Sequence, residues 1–239
     1  MIVAAGIAPH GEIEGELASG MEELARRVAA AEPEALVVAT PHSVHVERHF
    51  AVATAGRVGD WEVDRELAGS ALAALRAAAI PAVGVSFGGN DPAQAELPID
   101  WGTEVPLRFL PRLPVVVVSP ARDRPPEEHV RAGEAIACAT AERRVAFLAS
   151  ADHGHAHDAD GPYGFHEAAA RYDELAQELV REQRLDRWPE LAALVEDAKA
   201  DSLWQLLLLH GALGDGARGE LLAYARPSYY GMLVAAYEL

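Results

Sequence analysis

Cysteine is almost missing from this chain: Cys138 is the only one in 239 residues. An intrachain disulfide and a thiolate metal cluster are therefore both excluded. Cys138 lies within EEHVRAGEAIACATAERR and reads as helix-buried and inert, as free cysteines usually are. Lysine is nearly missing too, with Lys199 alone beside nineteen arginines. Acidic groups outnumber basic ones, and the formal net charge of −17 argues against nucleic acid or an anionic membrane surface as a partner. No apolar run approaches the ~20 residues of a membrane span. The opening MIVAAGIAPHG lacks the basic start of a signal peptide, so a cytoplasmic location is expected.

Half of the residues are hydrophobic and 24% are charged. That composition suits a large core, and the chain is expected to form one α/β domain over residues 1–239, with a mostly parallel or mixed central sheet flanked by helices. Ile2 to Ala8, Ala35 to Ala39, PVVVVS from Pro114 and Val145 to Ser150 are continuous aliphatic runs, typical of buried strands. Phe50 to Thr54 and Ala82 to Ser86 read as shorter strands, and ELLAYARPSYYGMLVAAYEL as two strands around Pro227. Apolar residues at spacings of three and four predict helices over Gly11 to Ala31 and Trp61 to Ala79. Further helices are expected over Glu127 to Arg143, Glu167 to Arg184 and Leu191 to Leu209, the last in two pieces. Residues 87–106 read as a long irregular loop, and such loops are often functional. The aromatic C-terminal segment reads as core, with a homo-oligomer surface as the alternative.

Three of the strands run into histidine. The first ends at Pro9-His10 and the second at Pro41-His42. Val145 to Ser150 leads into Asp152-His153-Gly154-His155-Ala156-His157. Ligands gather at the carboxyl ends of strands in open α/β sheets, so these three ends are expected to form one site. A single Pro-His is more readily an ordinary loop histidine than a ligand. Two of them, each ending a strand of the same opening unit, favour metal ligands on a rigid backbone. Neutral imidazole suits iron, zinc, manganese or nickel, and Fe(II) oxygenases take two histidines and one carboxylate. One of His153, His155 and His157 would serve acid/base work rather than bind the metal, since imidazole titrates near neutral pH. His45 and His49 read as surface or supporting residues. Asp201 opens the apolar run SLWQLLLLHGAL. On the residues alone it is a helix N-cap before it is a ligand. Glu12, Glu14, Asp100, Asp152 and Asp158 compete with it.

Four segments taken together resemble the class III extradiol ring-cleavage dioxygenases, the family built on the catalytic subunit of protocatechuate 4,5-dioxygenase. They are Pro9-His10, Thr40-Pro41-His42-Ser43, Asp100-Trp101-Gly102-Thr103-Glu104-Val105-Pro106-Leu107 followed by PVVVVS, and Ser150-Ala151-Asp152-His153-Gly154-His155. PSYYGMLVAAY is also similar to this superfamily, its Memo-type members included. The resemblance implies an α/β fold and a mononuclear non-haem Fe(II), with zinc or manganese as alternatives. It also implies a small catechol or aminophenol substrate and O2. By the same resemblance His10 and His42 are metal ligands, Asp201 is the third ligand, and His155 is the catalytic histidine, with His153 as the alternative. The family often reads Asp-His-Gly where this chain has Asp100-Trp101-Gly102. Tryptophan can pack on a ring but cannot shuttle a proton. Either His155 alone carries the acid/base work, or the chain is a metal-binding or protein-interaction module without ring cleavage. A zinc hydrolase using the same histidines is a third reading.

Overall fold

The computed structural model describes residues 1–239. Strand β1 (Ile2–Ala8) leads through helix α1 (Gly15–Ala30) to β2 (Ala35–Ala39), and β3 follows at Phe50–Ala53. A short ribbon of β4 (Arg57–Val58) and β5 (Trp61–Glu62) precedes α2 (Arg65–Ala77) and β6 (Ala82–Val85). Next come β7 (Glu96–Leu97), α3 (Trp101–Leu107), β8 (Val115–Ser119), α4 (Pro126–Ala139) and β9 (Val145–Ser150). Helices α5 (Glu167–Arg181), α6 (Val195–Ala198) and α7 (Leu203–Leu213) lead to the closing strands β10 (Arg218–Ala225) and β11 (Met232–Glu238).

Eight strands form one mixed sheet in the order β10-β11-β1-β9-β2-β8-β3-β6. Strands β1, β9, β2 and β8 run parallel to one another, β11 lies antiparallel against β1, and β3 antiparallel against β8. The interior strands β2, β8 and β9 are buried along their whole length, which is why their sequences do not alternate. Strand β9, late in the chain, inserts between β1 and β2. The three strands that run into histidine are therefore three consecutive parallel neighbours, and their carboxyl ends lie side by side. This is a single α/β domain, and none of its helices is long and apolar enough to cross a membrane.

Helix α7 is buried nearly all round, from Leu203 to Leu209. A helix without a polar face has to be enclosed by other elements. It packs on α4 through two glycines: a Cβ at Gly133 would stand 2.1 Å from the Leu208 carbonyl oxygen, and one at Gly211 1.8 Å from that of Val130. Only residues without a side chain allow the two backbones so close. Gln205 donates to the Ser150 carbonyl at 3.1 Å and ties α7 to the end of β9.

Several boundaries differ from the sequence expectation. Helix α1 starts at Gly15 instead of Gly11, because residues 11–14 run past Tyr230, whose hydroxyl would lie 2.3 Å from a Cβ on Gly11. Helix α2 starts after Asp64, whose carboxylate caps it by accepting from the Leu67 N–H. Trp61 instead joins the small sheet of β5, β4 and β7. The stretch 87–106 is not wholly irregular: it holds β7 and most of α3, which Asp100 caps by accepting from the Thr103 N–H. Cys138 is exposed on α4 rather than buried. The apolar C-terminal strand β11 is core, buried from Met232 to Tyr237.

Two histidines are enclosed far from water. Burial lowers the pKa of His129 to about 4, although its Nδ1–H donates to the Pro125 carbonyl. Burial does the same to His153, also to about 4. Each binds its proton more readily in the unfolded chain, near pH 6.5, so each supports the fold fully above that pH and less as pH falls towards 4. One such group accounts for a loss of about 3 kcal/mol across that window. Urea denaturation at pH 7, 6 and 5 should show falling stability, and His129→Phe should make the decline shallower; an unchanged slope would remove His129 from the account.

Candidate metal centre

His10 follows β1 and His42 follows β2, and the gap between those strands is filled by β9. Their rings meet edge to face, with Nε2 of His42 3.0 Å from Nε2 of His10. Asp201, just ahead of α7, brings its Oδ2 to 3.3 Å from His42 Nε2 and 3.6 Å from His10 Nε2. Asp201 makes no capping hydrogen bond to α7, and its buried Oδ1 has no partner at all. Of the rival carboxylates, Asp100 is committed to Thr40 and Thr103, and Asp158 accepts from the Asp160 N–H. Glu14 stands at the start of α1, and Asp152 accepts from the His10 backbone N–H and brings its Oδ2 to 3.5 Å from His10 Nε2, but of the two acids Asp201 is the one that also reaches His42.

Donor atoms held about 2.1 Å from one ion, and about 90° to 120° apart around it, lie roughly 3.0 to 3.6 Å from one another. The three separations observed here span that range. Two imidazoles and a carboxylate are also the donor set of a three-sided site with open positions. These residues fit a divalent metal ion.

The tautomer of His10 can be read from its neighbours. The Ser150 hydroxyl donates its one hydrogen to the Gly102 carbonyl, so it accepts from His10 Nδ1–H at 3.0 Å. That leaves His10 Nε2 a bare lone pair facing His42 and Asp201. Gly102 has a carbonyl to offer because Pro106, four residues on in α3, has no N–H to fill it. Charge agrees with this arrangement. Burial works to lower the pKa of His10, but the carboxylates of Asp152 and Asp201 outweigh it and the pKa is raised. Burial works to raise that of Asp201, but the neighbouring His10 and His42 imidazoles hold it below the usual carboxylate range. The site favours positive charge among its carboxylates.

A family profile described as the catalytic LigB subunit of aromatic ring-opening dioxygenase matches residues 2–236. The chain belongs to this LigB family. The fold agrees with that of a solved structure, an uncharacterized protein JW3007 from Escherichia coli K12, at a TM-score of 0.67 and 16% identity, covering 98% of this chain and 99% of that one. Among curated proteins, no sequence matches.

Beside the cluster of His10, His42 and Asp201 lies a cavity of about 350 Å³, lined among others by His10, His42, Asp152 and His155 and by the rings of Trp101 and Tyr230. The His155 Nδ1–H donates to the His153 carbonyl at 2.7 Å, so its Nε2 is the free basic atom. Its ring stacks on Tyr230. His153 is fully buried behind the cavity, with Nδ1 on the Ser202 hydroxyl, and does not line it. His45 and His49 lie outside it as well. Trp101, the first residue of α3, stacks on the His42 ring at 4.2 Å between centroids.

Asp173, on α5, is a residue that sequence reasoning missed. It is buried, and accepts from Gly154 N–H at 2.7 Å, His157 Nε2–H at 2.8 Å and the Tyr224 hydroxyl at 2.8 Å. It thereby pins the segment that presents His155. A Cβ at Gly231 would lie 1.9 Å from its Oδ2, so only glycine fits there. The sequence signal was faint: an acid on the buried side of an amphipathic helix.

Removing the hydroxyl that orients His10 should weaken metal binding while leaving the ligands in place. Ser150→Ala is expected to lower affinity for Fe(II) or Zn(II) by about tenfold to a hundredfold, measured by anaerobic calorimetric titration. An affinity equal to that of the unmodified protein would refute the role given to Ser150.

Proposed function

We propose that this protein is a non-haem Fe(II)-dependent extradiol dioxygenase that opens the ring of a catechol or aminophenol using O2. The observation that carries the reading is the convergence of His10 Nε2, His42 Nε2 and Asp201 Oδ2 beside an aromatic-walled cavity. Membership of the LigB family supports it. These three residues would hold the ion, with zinc or manganese as alternatives to iron. A ferrous ion there supplies the redox chemistry that O2 requires, and leaves positions open for the substrate.

The chain's own residues do the rest. His155 Nε2 takes the proton from a substrate hydroxyl and returns it when the ring has opened. Its Nδ1–H, fixed on the His153 carbonyl, holds the tautomer that leaves Nε2 free to accept. Tyr230 stacks on the His155 ring and limits its rotation. Trp101 gives the ring a flat wall and shields His42 from water, but it cannot take up a proton. Overall, one O2 is consumed, the carbon–carbon bond beside the diol breaks, and both oxygen atoms enter the product.

The test separates holding the ion from chemistry. His10→Ala, His42→Ala and Asp201→Asn should each abolish stoichiometric iron binding, read by metal analysis. His155→Ala should keep the iron and lose turnover by at least about a hundredfold. Turnover is read as the yellow ring-opened product that forms when a catechol panel and air are added to anaerobically loaded protein. Iron retained in both histidine variants would overturn the site. Iron bound with no ring opening from any catechol would favour a metal-binding module, for which the tryptophan at position 101 speaks. Zinc in protein purified without chelators, together with ester or amide hydrolysis, would favour a hydrolase.

A further inference from the structure

The cavity beside the candidate metal centre has no arginine or lysine in its walls. Trp101, Tyr163, Tyr229 and Tyr230 supply four aromatic rings, and two carboxyl groups line it: Glu12, and Asp152, which is buried and held by the His10 backbone N–H. Two arginines approach neighbouring segments, and both are turned elsewhere. Arg122 donates to the Pro41 carbonyl and lies over the Trp204 ring, while Arg226 sits against His157. Neither lines the cavity. The Glu12 carboxylate is exposed and makes no ion pair or hydrogen bond. Its backbone N–H reaches the Tyr230 hydroxyl at 3.4 Å, which places it beside the ring stacked on His155. Trp101 is 57% exposed and Tyr163 54%, so both rings have faces to offer a ligand.

We propose that the substrate is a phenolic ring bearing a protonated amine, with Glu12 as the counter-charge to that amine, and that carboxylate-bearing analogues are rejected. The proposal rests on the ring-cleavage reading above and names the substrate class of that site. A carboxylate substituent would enter beside Glu12 with no arginine to receive it, and like charges brought together across an interface are strongly unfavourable. An ammonium group in the same place meets a free carboxylate and the faces of several aromatic rings. Each ring face attracts a cation through its quadrupole, and more so where water is thin. The acidity of the whole chain adds a field of the same sign, which draws cations towards the cavity and turns anions away.

The experiment compares three probes that share one ring. Anaerobic, Fe(II)-loaded protein is titrated calorimetrically with catechol, with dopamine and with hydrocaffeate, the last two carrying an amine or a carboxylate on an ethyl chain. Dopamine is expected to bind about tenfold or more tightly than hydrocaffeate, and Glu12→Gln to reduce that ratio severalfold. Added salt should compress the ratio in the unmodified protein. Hydrocaffeate binding as tightly as dopamine, or a ratio that survives Glu12→Gln, would overturn the charge assignment and leave ring cleavage standing. Failure of all three to bind the iron-loaded protein would overturn both.

Discussion

The geometry of the candidate centre turns on where one hydroxyl hydrogen goes. Ser150, the last residue of β9, donates to the Gly102 carbonyl and so can only accept from His10. Had the hydrogen pointed the other way, His10 would offer a lone pair at Nδ1 and carry its proton at Nε2, towards His42. The choice is made by Pro106, which leaves the Gly102 carbonyl unfilled within α3. A helix-breaking residue in a short helix thus sets the tautomer of a histidine on another element. Such outer contacts commonly decide both the orientation and the basicity of a metal-binding imidazole.

The larger frame serves the same end. Insertion of β9 between β1 and β2 spaces His10 and His42 on either side of the strand that carries Ser150. The carboxylate comes from outside the sheet, and its position is held by a helix with little freedom. Helix α7 is enclosed by apolar neighbours, locked to α4 through Gly133 and Gly211 and tied to β9 by Gln205. Asp201 stands just ahead of it with one oxygen towards the histidines and the other buried without a partner. A buried carboxylate oxygen without a partner is costly in an ordinary core, which makes the placement hard to explain by stability alone.

Much of this was legible in the chain, and the reasons for what was not are local. The buried strands are continuous aliphatic runs, so their existence and their meeting with Pro-His could be read directly. The order of the sheet could not, because nothing in Val145 to Ser150 says which neighbours it will have. Asp201 looked like an N-cap because the signal for a cap and that for a ligand are the same residue before the same helix. Strict alternation would have put His153, His155 and His157 on one side of the chain. They diverge because the segment is not a strand in a ladder. Its N–H groups go in turn to Gly231, Asp173, Ala198 and Tyr229, so each side chain meets a different environment. Cys138 was misjudged by residue type: α4 buries Ala132, Ala135 and Ile136, and position 138 falls on the other face.

Under the proposed chemistry, tryptophan at position 101 leaves proton transfer to few groups. His10 and His42 turn Nε2 inward on each other and on Asp201, and an indole N–H can donate but never accept. Among the imidazoles lining the cavity, His155 is the one left with a lone pair unclaimed by that cluster. Under the proposed chemistry, a single ring must therefore take up the proton and give it back, and its position matters more than it would in a site with two such groups. That position is held from behind. Asp173 fixes Gly154 and His157 on one side, and the Gly231 N–H donates to the Gly154 carbonyl on the other. The aromatic wall of Tyr229 and Tyr230 hangs on the same contacts. The Tyr230 ring and the His155 imidazole on which it stacks are thus anchored to one buried carboxylate, so under the proposed chemistry a displacement of that carboxylate would disturb binding and proton transfer together.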